Sequence, residues 1–301
     1  MKILFTFPGQ GGQRPGMLAA LPDREAILTQ ARAVLGNEVA TLDSADALQH
    51  TRAVQLCLLI AGVAWARELQ RQGVDPQMVS GLSIGAFPAA VIAGALDFAS
   101  ALRLVALRGD LMEQAYPEGY GLTAIMGLTR PRVEALMQGH EVYLANLNAE
   151  TQFVIAGRDE AMAEVAQLAL RAGASKAQRL AVSVPSHCAL LDKPAAELAK
   201  AFAGASLRRP WCAYLSGSTA RVLWDPQRIA DDLAMNMARP VHWQEAMVAA
   251  DERDARLAIE MPPPGGVLTC LTRQAGWRGE TIALERSGLD VARHLAQRLS
   301  D

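Results

Sequence analysis

The sequence predicts an α/β protein in which a large domain, built on a mostly parallel sheet, carries a smaller inserted domain. Three observations predict this fold class. Short apolar runs alternate with helical segments over the first 115 residues, as they do in βαβ units. A second series of runs, within residues 120–187, follows the order βαββαβ. Helix and strand signals of the first kind then return in the C-terminal part.

The N-terminal half of the large domain begins with a buried strand at residues 3–7, closed by a glycine-rich loop at 8–13. A helix at 51–72 ends at Gly73, where a left-handed residue stops it. A short strand at 78–82 leads into Ser83. Further helices are predicted at residues 86–96 and 99–114.

The βαββαβ series is typical of a ferredoxin-like domain. Its predicted strands and helices follow one another at residues 122–127, 131–138, 142–147, 152–156, 160–172 and 176–182. The large domain continues with a helix, a strand, a helix and a strand at 195–203, 211–215, 226–237 and 257–260. The sequence therefore predicts an α/β-hydrolase-like large domain, residues 1–119 and 188–301, and an inserted ferredoxin-like domain, residues 120–187.

Composition narrows the function classes. Just over half of the residues are apolar and the formal charge is −2, which indicates a packed protein without a global field for nucleic acid or anionic lipid. The longest apolar stretch, 53–66, is shorter than the ~20 residues of a membrane span. The run at 3–7 is too short for a signal peptide, so we expect a cytoplasmic protein. Four scattered cysteines predict neither a disulfide framework nor a zinc site.

Gly81–Gly85 reads Gly-Leu-Ser-Ile-Gly, a G-x-S-x-G pattern between a predicted strand and a predicted helix. In this context the pattern forms a sharp turn that lifts a serine hydroxyl off the end of a strand. Ser83 is therefore the candidate nucleophile. The backbone N–H of Ile84 would point toward the same place and stabilise an oxyanion.

A nucleophilic serine requires a base. Of the five histidines, three lie in polar or turn-like surroundings and are expected at the surface: His50, His140 and His294. His242, between Val241 and Trp243, is ambiguous. His187 ends a strand and enters a loop fixed by Pro185, and catalytic groups are common on such loops. Position alone favours His187 without excluding His242.

Six segments occur in the order typical of the malonyl-CoA:acyl-carrier-protein transacylase family, and the chain resembles that family over nearly its whole length. They are Phe-Pro-Gly-Gln-Gly at 7–11, the elbow at 81–85, Leu-Arg-Gly at 107–109, Val-Ser-Val-Pro-Ser-His at 182–187, Arg-Pro-Val-His-Trp at 239–243 and Pro-Gly-Gly-Val-Leu at 264–268.

The resemblance implies a role for each matching position. Ser83 would be the nucleophile and His187 its general base. The backbone N–H groups of Gln10 and Ile84 would form the oxyanion hole. Arg108 would bind the free carboxylate of a malonyl group, which suits a guanidinium because its planar fork pairs with a carboxylate. The backbone carbonyl at a further position, Asn236, would orient the histidine.

The activity implied is malonyl transfer from malonyl-CoA to the thiol of an acyl carrier protein through a malonyl-serine. No bound cofactor or metal is required, and the acceptor is a phosphopantetheine-type arm on the carrier. Nucleic acid and membrane are not expected as partners.

The elbow departs from the usual family pattern, because Leu82 precedes the serine in place of histidine and Ala86 replaces glutamate. The run Gly-Leu-Ser-Ile-Gly-Ala-Phe-Pro-Ala resembles the epsilon subunit of bacterial malonate decarboxylase, which primes that enzyme's own carrier subunit. The malonate decarboxylase pathway is therefore favoured. The alternatives are a transacylase of fatty-acid or polyketide synthesis, a serine thioesterase or hydrolase that uses the same elbow, and a scaffold that only docks a carrier.

Overall fold

The computed structural model describes residues 1–116 and 118–300. In chain order the elements are β1 (Lys2–Phe7), α1 (Arg24–Leu35), α2 (Thr51–Arg71), β2 (Met78–Gly81), α3 (Ala86–Ile92), α4 (Phe98–Ala115), β3 (Tyr120–Met126), α5 (Arg130–Met137), β4 (Val142–Ala149), β5 (Gln152–Arg158), α6 (Asp159–Arg171), β6 (Lys176–Arg179), α7 (Asp192–Ala201), β7 (Ala213–Leu215), β8 (Val222–Leu223), α8 (Pro226–Met235), α9 (Trp243–Glu252), β9 (Ala255–Glu260), α10 (Val267–Gln274), β10 (Glu280–Ala283) and α11 (Leu284–Ser300). The last helix is interrupted at Gly288, whose φ is 79°.

The large sheet has the order β10-β9-β1-β2-β7-β8, and every neighbouring pair is parallel except β7 with β8. The central strand β1 is buried along Ile3–Phe7, as the apolar run predicts for a parallel strand covered on both faces. Helix α2 is buried over nearly all of residues 53–66 and belongs to the largest apolar cluster. The longest apolar stretch of the sequence is therefore a core helix. In the described ranges, no helix combines the length and the apolar character that a bilayer span needs.

The second sheet is antiparallel, with the order β4-β5-β3-β6, and α5 and α6 pack against it. This order and the βαββαβ sequence of elements are those of a ferredoxin-like unit. The predicted fold class is confirmed. The domain limits, 1–119 with 188–301 and 120–187, stay a prediction.

The two sheets are joined near the edge strand β4. Val241 donates its N–H to the Ala145 carbonyl at 2.8 Å and accepts the N–H of Leu147 at 2.8 Å. This pair forms a parallel bridge between Val241 and β4. The small sheet is thus hydrogen-bonded to the large part of the chain two residues after Arg239.

Most predicted elements lie within a few residues of the observed ones, and two differ more. The strand predicted at 176–182 ends at Arg179, whose guanidinium donates to the carbonyls of Tyr120 and Val182, both at 2.8 Å. The Val182 carbonyl is thus bound by a side chain instead of by a neighbouring strand. The helix predicted at 86–96 ends at Ile92, two residues before Gly94, whose φ is +74°.

Candidate active site

Ser83 stands on a strained elbow. Strand β2 ends at Gly81, and a short 3₁₀ turn at Ser83–Gly85 leads into α3. The φ of Ser83 is +56°, in the left-handed region that costs a non-glycine residue about 1–2 kcal/mol. The flanking glycines make this turn possible. A Cβ at Gly85 would lie 2.1 Å from the Phe7 carbonyl oxygen, and one at Gly81 would lie 2.0 Å from the Gly85 backbone.

His187 also has a left-handed backbone, with φ +66°, and its side chain is buried. Its N–H donates to the Met237 carbonyl at 2.6 Å. The ring Nδ1 lies 2.8 Å from the Asn236 carbonyl and 3.2 Å from the Arg239 carbonyl. Since a carbonyl oxygen only accepts, Nδ1 carries the proton, and Nε2 is the unprotonated nitrogen of the neutral ring.

Burial, together with the positive charge of Arg108, lowers the pKa of His187 to about 4. The two carbonyls at Nδ1 oppose this shift because they stabilise the charged ring. At neutral pH the imidazole is therefore uncharged and ready to accept a proton.

Arg108, on α4, has none of its surface exposed. Its Nη1 donates to Gln55 Oε1 at 2.7 Å, and its Nη2 donates to Asn236 Oδ1 at 3.0 Å and to Ser83 Oγ at 3.3 Å. All three acceptors are neutral. The Nε–H has no partner in the described part of the chain. Burial lowers the pKa of this guanidinium to about 9, so it remains charged at pH 7.

Asn236 contributes more than its carbonyl. Besides accepting from Arg108, its side chain donates from Nδ2 to the Ser83 carbonyl at 3.3 Å. It lies in a 3₁₀ turn directly after α8. That helix is fastened by Asp232, a buried carboxylate that accepts from the Tyr214 and Ser216 hydroxyls at 2.7 and 2.6 Å.

Gln10 and Ile84 lie on neighbouring segments, because β1 and β2 are adjacent in the sheet and Phe7 pairs with Gly81. The Leu82 N–H donates to the Phe7 carbonyl at 3.0 Å, which ties the elbow to the glycine-rich loop. Ile84 is buried directly after Ser83. The Gln10 side chain accepts from Gln55 Nε2 at 3.2 Å.

Ser83, His187 and Gln10 line one cavity of about 250 Å³. The small sheet forms another wall, with Asn146 and Asn148 on β4 among the lining residues. Both amides are buried, and Asn146 Oδ1 has no partner in the described residues. The predicted site residues are thus brought together at the junction of the two sheets.

The other histidines lie elsewhere. Three of them face acidic residues, at 2.7 Å for His50 with Glu113, 3.2 Å for His140 with Glu164 and 3.4 Å for His242 with Glu245. His294 is exposed on α11. None of the four is among the residues that line the cavity with Ser83.

Sequence reasoning missed Gln55, Asn146 and Asn148. Each gives a signal in retrospect. Gln55 is an amide inside the apolar stretch 53–66, and the two asparagines alternate on one face of a strand that is otherwise mostly apolar.

Known proteins resemble this chain over nearly its full length. The malonyl CoA-acyl carrier protein transacylase of Escherichia coli (strain K12) is 37% identical over 286 residues, covering 91% of this chain and 92% of its own length. The crystal structure of an acyl-carrier-protein S-malonyltransferase from Burkholderia pseudomallei 1710b superposes with a TM-score of 0.90 at 33% identity, covering 98% of this chain and all of that one.

A third relative was solved as a type II PKS acyl-carrier protein in complex with its malonyl-transacylase. It superposes with a TM-score of 0.89 at 34% identity, covering 96% of this chain and 99% of that one. Residues 4–281 match the acyl transferase domain family. The predicted class of enzyme, an acyltransferase, is confirmed, and the chain belongs to the acyl transferase family.

Proposed function

We propose that this enzyme transfers a malonyl group from malonyl-CoA to the thiol of an acyl carrier protein, through a malonyl ester on Ser83. The observation that carries the proposal is the position of Arg108. Its guanidinium is fully buried, its hydrogen-bond acceptors are neutral, and its Nη2 lies 3.3 Å from the Ser83 hydroxyl. A buried cation beside a nucleophile favours a substrate that brings its own anion.

In the first half-reaction Ser83 Oγ attacks the thioester carbonyl while His187 Nε2 takes the hydroxyl proton. The backbone N–H groups of Gln10 and Ile84 bind the oxyanion of the tetrahedral intermediate. The C–S bond then breaks, and the coenzyme A thiolate leaves with the proton from His187. In the second half-reaction the carrier thiol gives its proton to His187 and attacks the ester carbonyl, forming a C–S bond. The C–O bond to Ser83 then breaks, and Ser83 Oγ takes the proton back from His187.

The neutral ring of His187 suits both steps. Its Nδ1–H is held by the Asn236 and Arg239 carbonyls, which keeps Nε2 as the basic nitrogen. The same two carbonyls stabilise the imidazolium that forms after proton transfer. A carbonyl pair here takes the part that a carboxylate has in a Ser-His-Asp triad.

For the acceptor, we propose the carrier subunit of malonate decarboxylase. The support is the elbow sequence, in which Leu82 and Ala86 depart from the usual family residues. Leu82 lines the cavity, and a Cβ at Gly9 would lie 2.9 Å from Leu82 Cδ2, so this position shapes the site next to the nucleophile. The alternative is a carrier of fatty-acid or polyketide synthesis, which the names of the relatives favour. The location of this enzyme in the cytoplasm stays a prediction.

Intact-protein mass spectrometry tests the transfer. The protein is incubated with malonyl-CoA, with and without a carrier. We expect a malonyl adduct that is absent from Ser83→Ala and that moves to the carrier. No adduct on the wild type would refute the proposal, and an adduct that is lost to water at the same rate with or without a carrier would assign a hydrolase.

The pathway is tested with two carriers under the same conditions. One carries the phosphoribosyl-dephospho-CoA arm of malonate decarboxylase, and the other is a phosphopantetheine carrier of fatty-acid synthesis. We expect faster discharge of malonyl-Ser83 to the first. Faster discharge to the second would favour the fatty-acid transacylase.

A further inference from the structure

Gln55 lies fully buried in the second turn of helix α2, where a polar residue is costly unless its hydrogen bonds are made. Its Oε1 accepts from Arg108 Nη1 at 2.7 Å, the shortest hydrogen bond that the guanidinium makes. Its Nε2 donates to Gln10 Oε1 at 3.2 Å and lies 3.4 Å from Met112 Sδ. Gln55 therefore connects Arg108 with the loop that supplies the proposed oxyanion N–H.

The chemistry of this contact matters because a buried arginine is rarely left without an acidic partner. A glutamate at position 55 would have the same length and would cancel the charge. The amide instead satisfies the Nη1–H donor and leaves the positive charge in place. Asn236 does the same at Nη2, so two neutral acceptors hold the guanidinium from two helical segments.

An aromatic ring also lies close to the Arg108 guanidinium and leaves its positive charge uncompensated. The Phe87 ring lies 6.0 Å from the centre of the Arg108 guanidinium, and the ring itself is fully buried. The charge is therefore held in apolar surroundings, where its interaction with an incoming carboxylate is strong.

We propose that Gln55 is the positioning residue that makes this site select an anionic acyl group, because its neutral side chain holds Arg108 in place without compensating its charge. This inference rests on the proposed malonyl transfer and goes beyond it, since it assigns acyl selectivity to a residue that acts through Arg108. An acyl group without a carboxylate leaves the guanidinium unpaired and is rejected.

The test replaces Gln55 by Glu, which adds a carboxylate at nearly constant shape. Gln55→Met is the matched control, because it keeps the length and removes the amide without adding charge. Initial rates of acyl-Ser83 formation are measured for each protein with malonyl-CoA and with acetyl-CoA. Circular dichroism and thermal unfolding establish that each variant is folded.

For Gln55→Glu we expect kcat/KM for malonyl-CoA to fall about 100-fold or more, while acetyl-CoA is kept within about threefold or improves. Gln55→Met should weaken malonyl transfer less and leave malonyl preferred. A second readout is the acidic limb of the pH profile with acetyl-CoA. A carboxylate at position 55 offsets the Arg108 charge and should move this limb to higher pH in Gln55→Glu, whereas Gln55→Met should leave it in place.

The inference is overturned if Gln55→Glu still prefers malonyl-CoA by the wild-type ratio, or if both variants lose both activities equally. Should Gln55→Glu not fold, Gln55→Met carries the test alone: a fall in the ratio of malonyl to acetyl transfer supports the inference, and the wild-type ratio overturns it. If the wild type forms no malonyl adduct, it is the proposed function that fails, and the inference falls with it.

Discussion

Replacement of Arg108 by Gln removes the cation and keeps a polar side chain beside Gln55 and Asn236. The wild-type guanidinium is fully buried and its hydrogen-bond acceptors among the described residues are neutral, so its pairing with a malonyl carboxylate would be that of a desolvated charge pair. Removing one member of such a pair costs about 2–5 kcal/mol, or about 30- to 5,000-fold in kcat/KM. Acetyl transfer should be kept or improved, because the buried charge that opposes a neutral acyl group is gone.

The assay measures kcat/KM for malonyl-CoA and acetyl-CoA with one carrier protein, for the wild type, Arg108→Gln and Arg108→Lys. Lysine keeps the charge but not the planar fork, so its malonyl transfer should lie between the other two. Arg108→Gln should also move the acidic limb of the pH profile of activity to higher pH, because the positive charge of Arg108 lowers the pKa of His187. Equal losses for both acyl groups would refute the carboxylate-binding role.

Three further outcomes follow from the geometry. Burial lowers the pKa of His187 from 6.5 to about 4, so as the pH falls the unfolded chain takes up a proton at this residue before the folded protein does. The free energy of unfolding should therefore fall by up to about 3 kcal/mol between pH 6.5 and pH 4. Urea titrations should show a smaller loss in His187→Gln, and an identical loss would contradict this. Gly85→Ala should destabilise by more than about 3 kcal/mol, since its Cβ meets the Phe7 carbonyl at 2.1 Å, whereas Gly204→Ala, with open space around it, should leave the thermal midpoint nearly unchanged. Asp232→Ala should lower stability by about 1–3 kcal/mol through loss of the two buried hydroxyl contacts, and slow acylation by loosening the end of α8; unchanged unfolding and rate would contradict this.

Much of the fold was predictable because its signals are local. The apolar run of β1, the long and mostly apolar α2 and the two glycines of the elbow each indicate one structure on their own. Strands β8 and β10 were not predicted, since they are short edge strands of two and four residues whose pairing depends on distant neighbours. The end of β6 was missed for a similar reason, because the Arg179 side chain binds backbone carbonyls there.

The candidate site could likewise be predicted from the sequence only in part. Ser83 could be recognised from its own turn, and the expectation for Arg108 and His187 came from motif order. What the sequence did not show is how Arg108 is held, since Gln55 and Asn236 come from positions 53 residues before it and 128 residues after it. Hydrogen bonds between such distant positions have no periodicity that a single sequence reveals.

The bridge between Val241 and β4 fixes the small sheet to the segment that faces His187. It pairs an edge strand that would otherwise offer open backbone groups to other chains, and it lies two residues from the Arg239 carbonyl that faces His187. Moving the small sheet away from this segment would break the 2.8 Å hydrogen bonds on both sides of Val241. A displacement of β4 would therefore also displace the carbonyl that fixes the tautomer of the His187 ring.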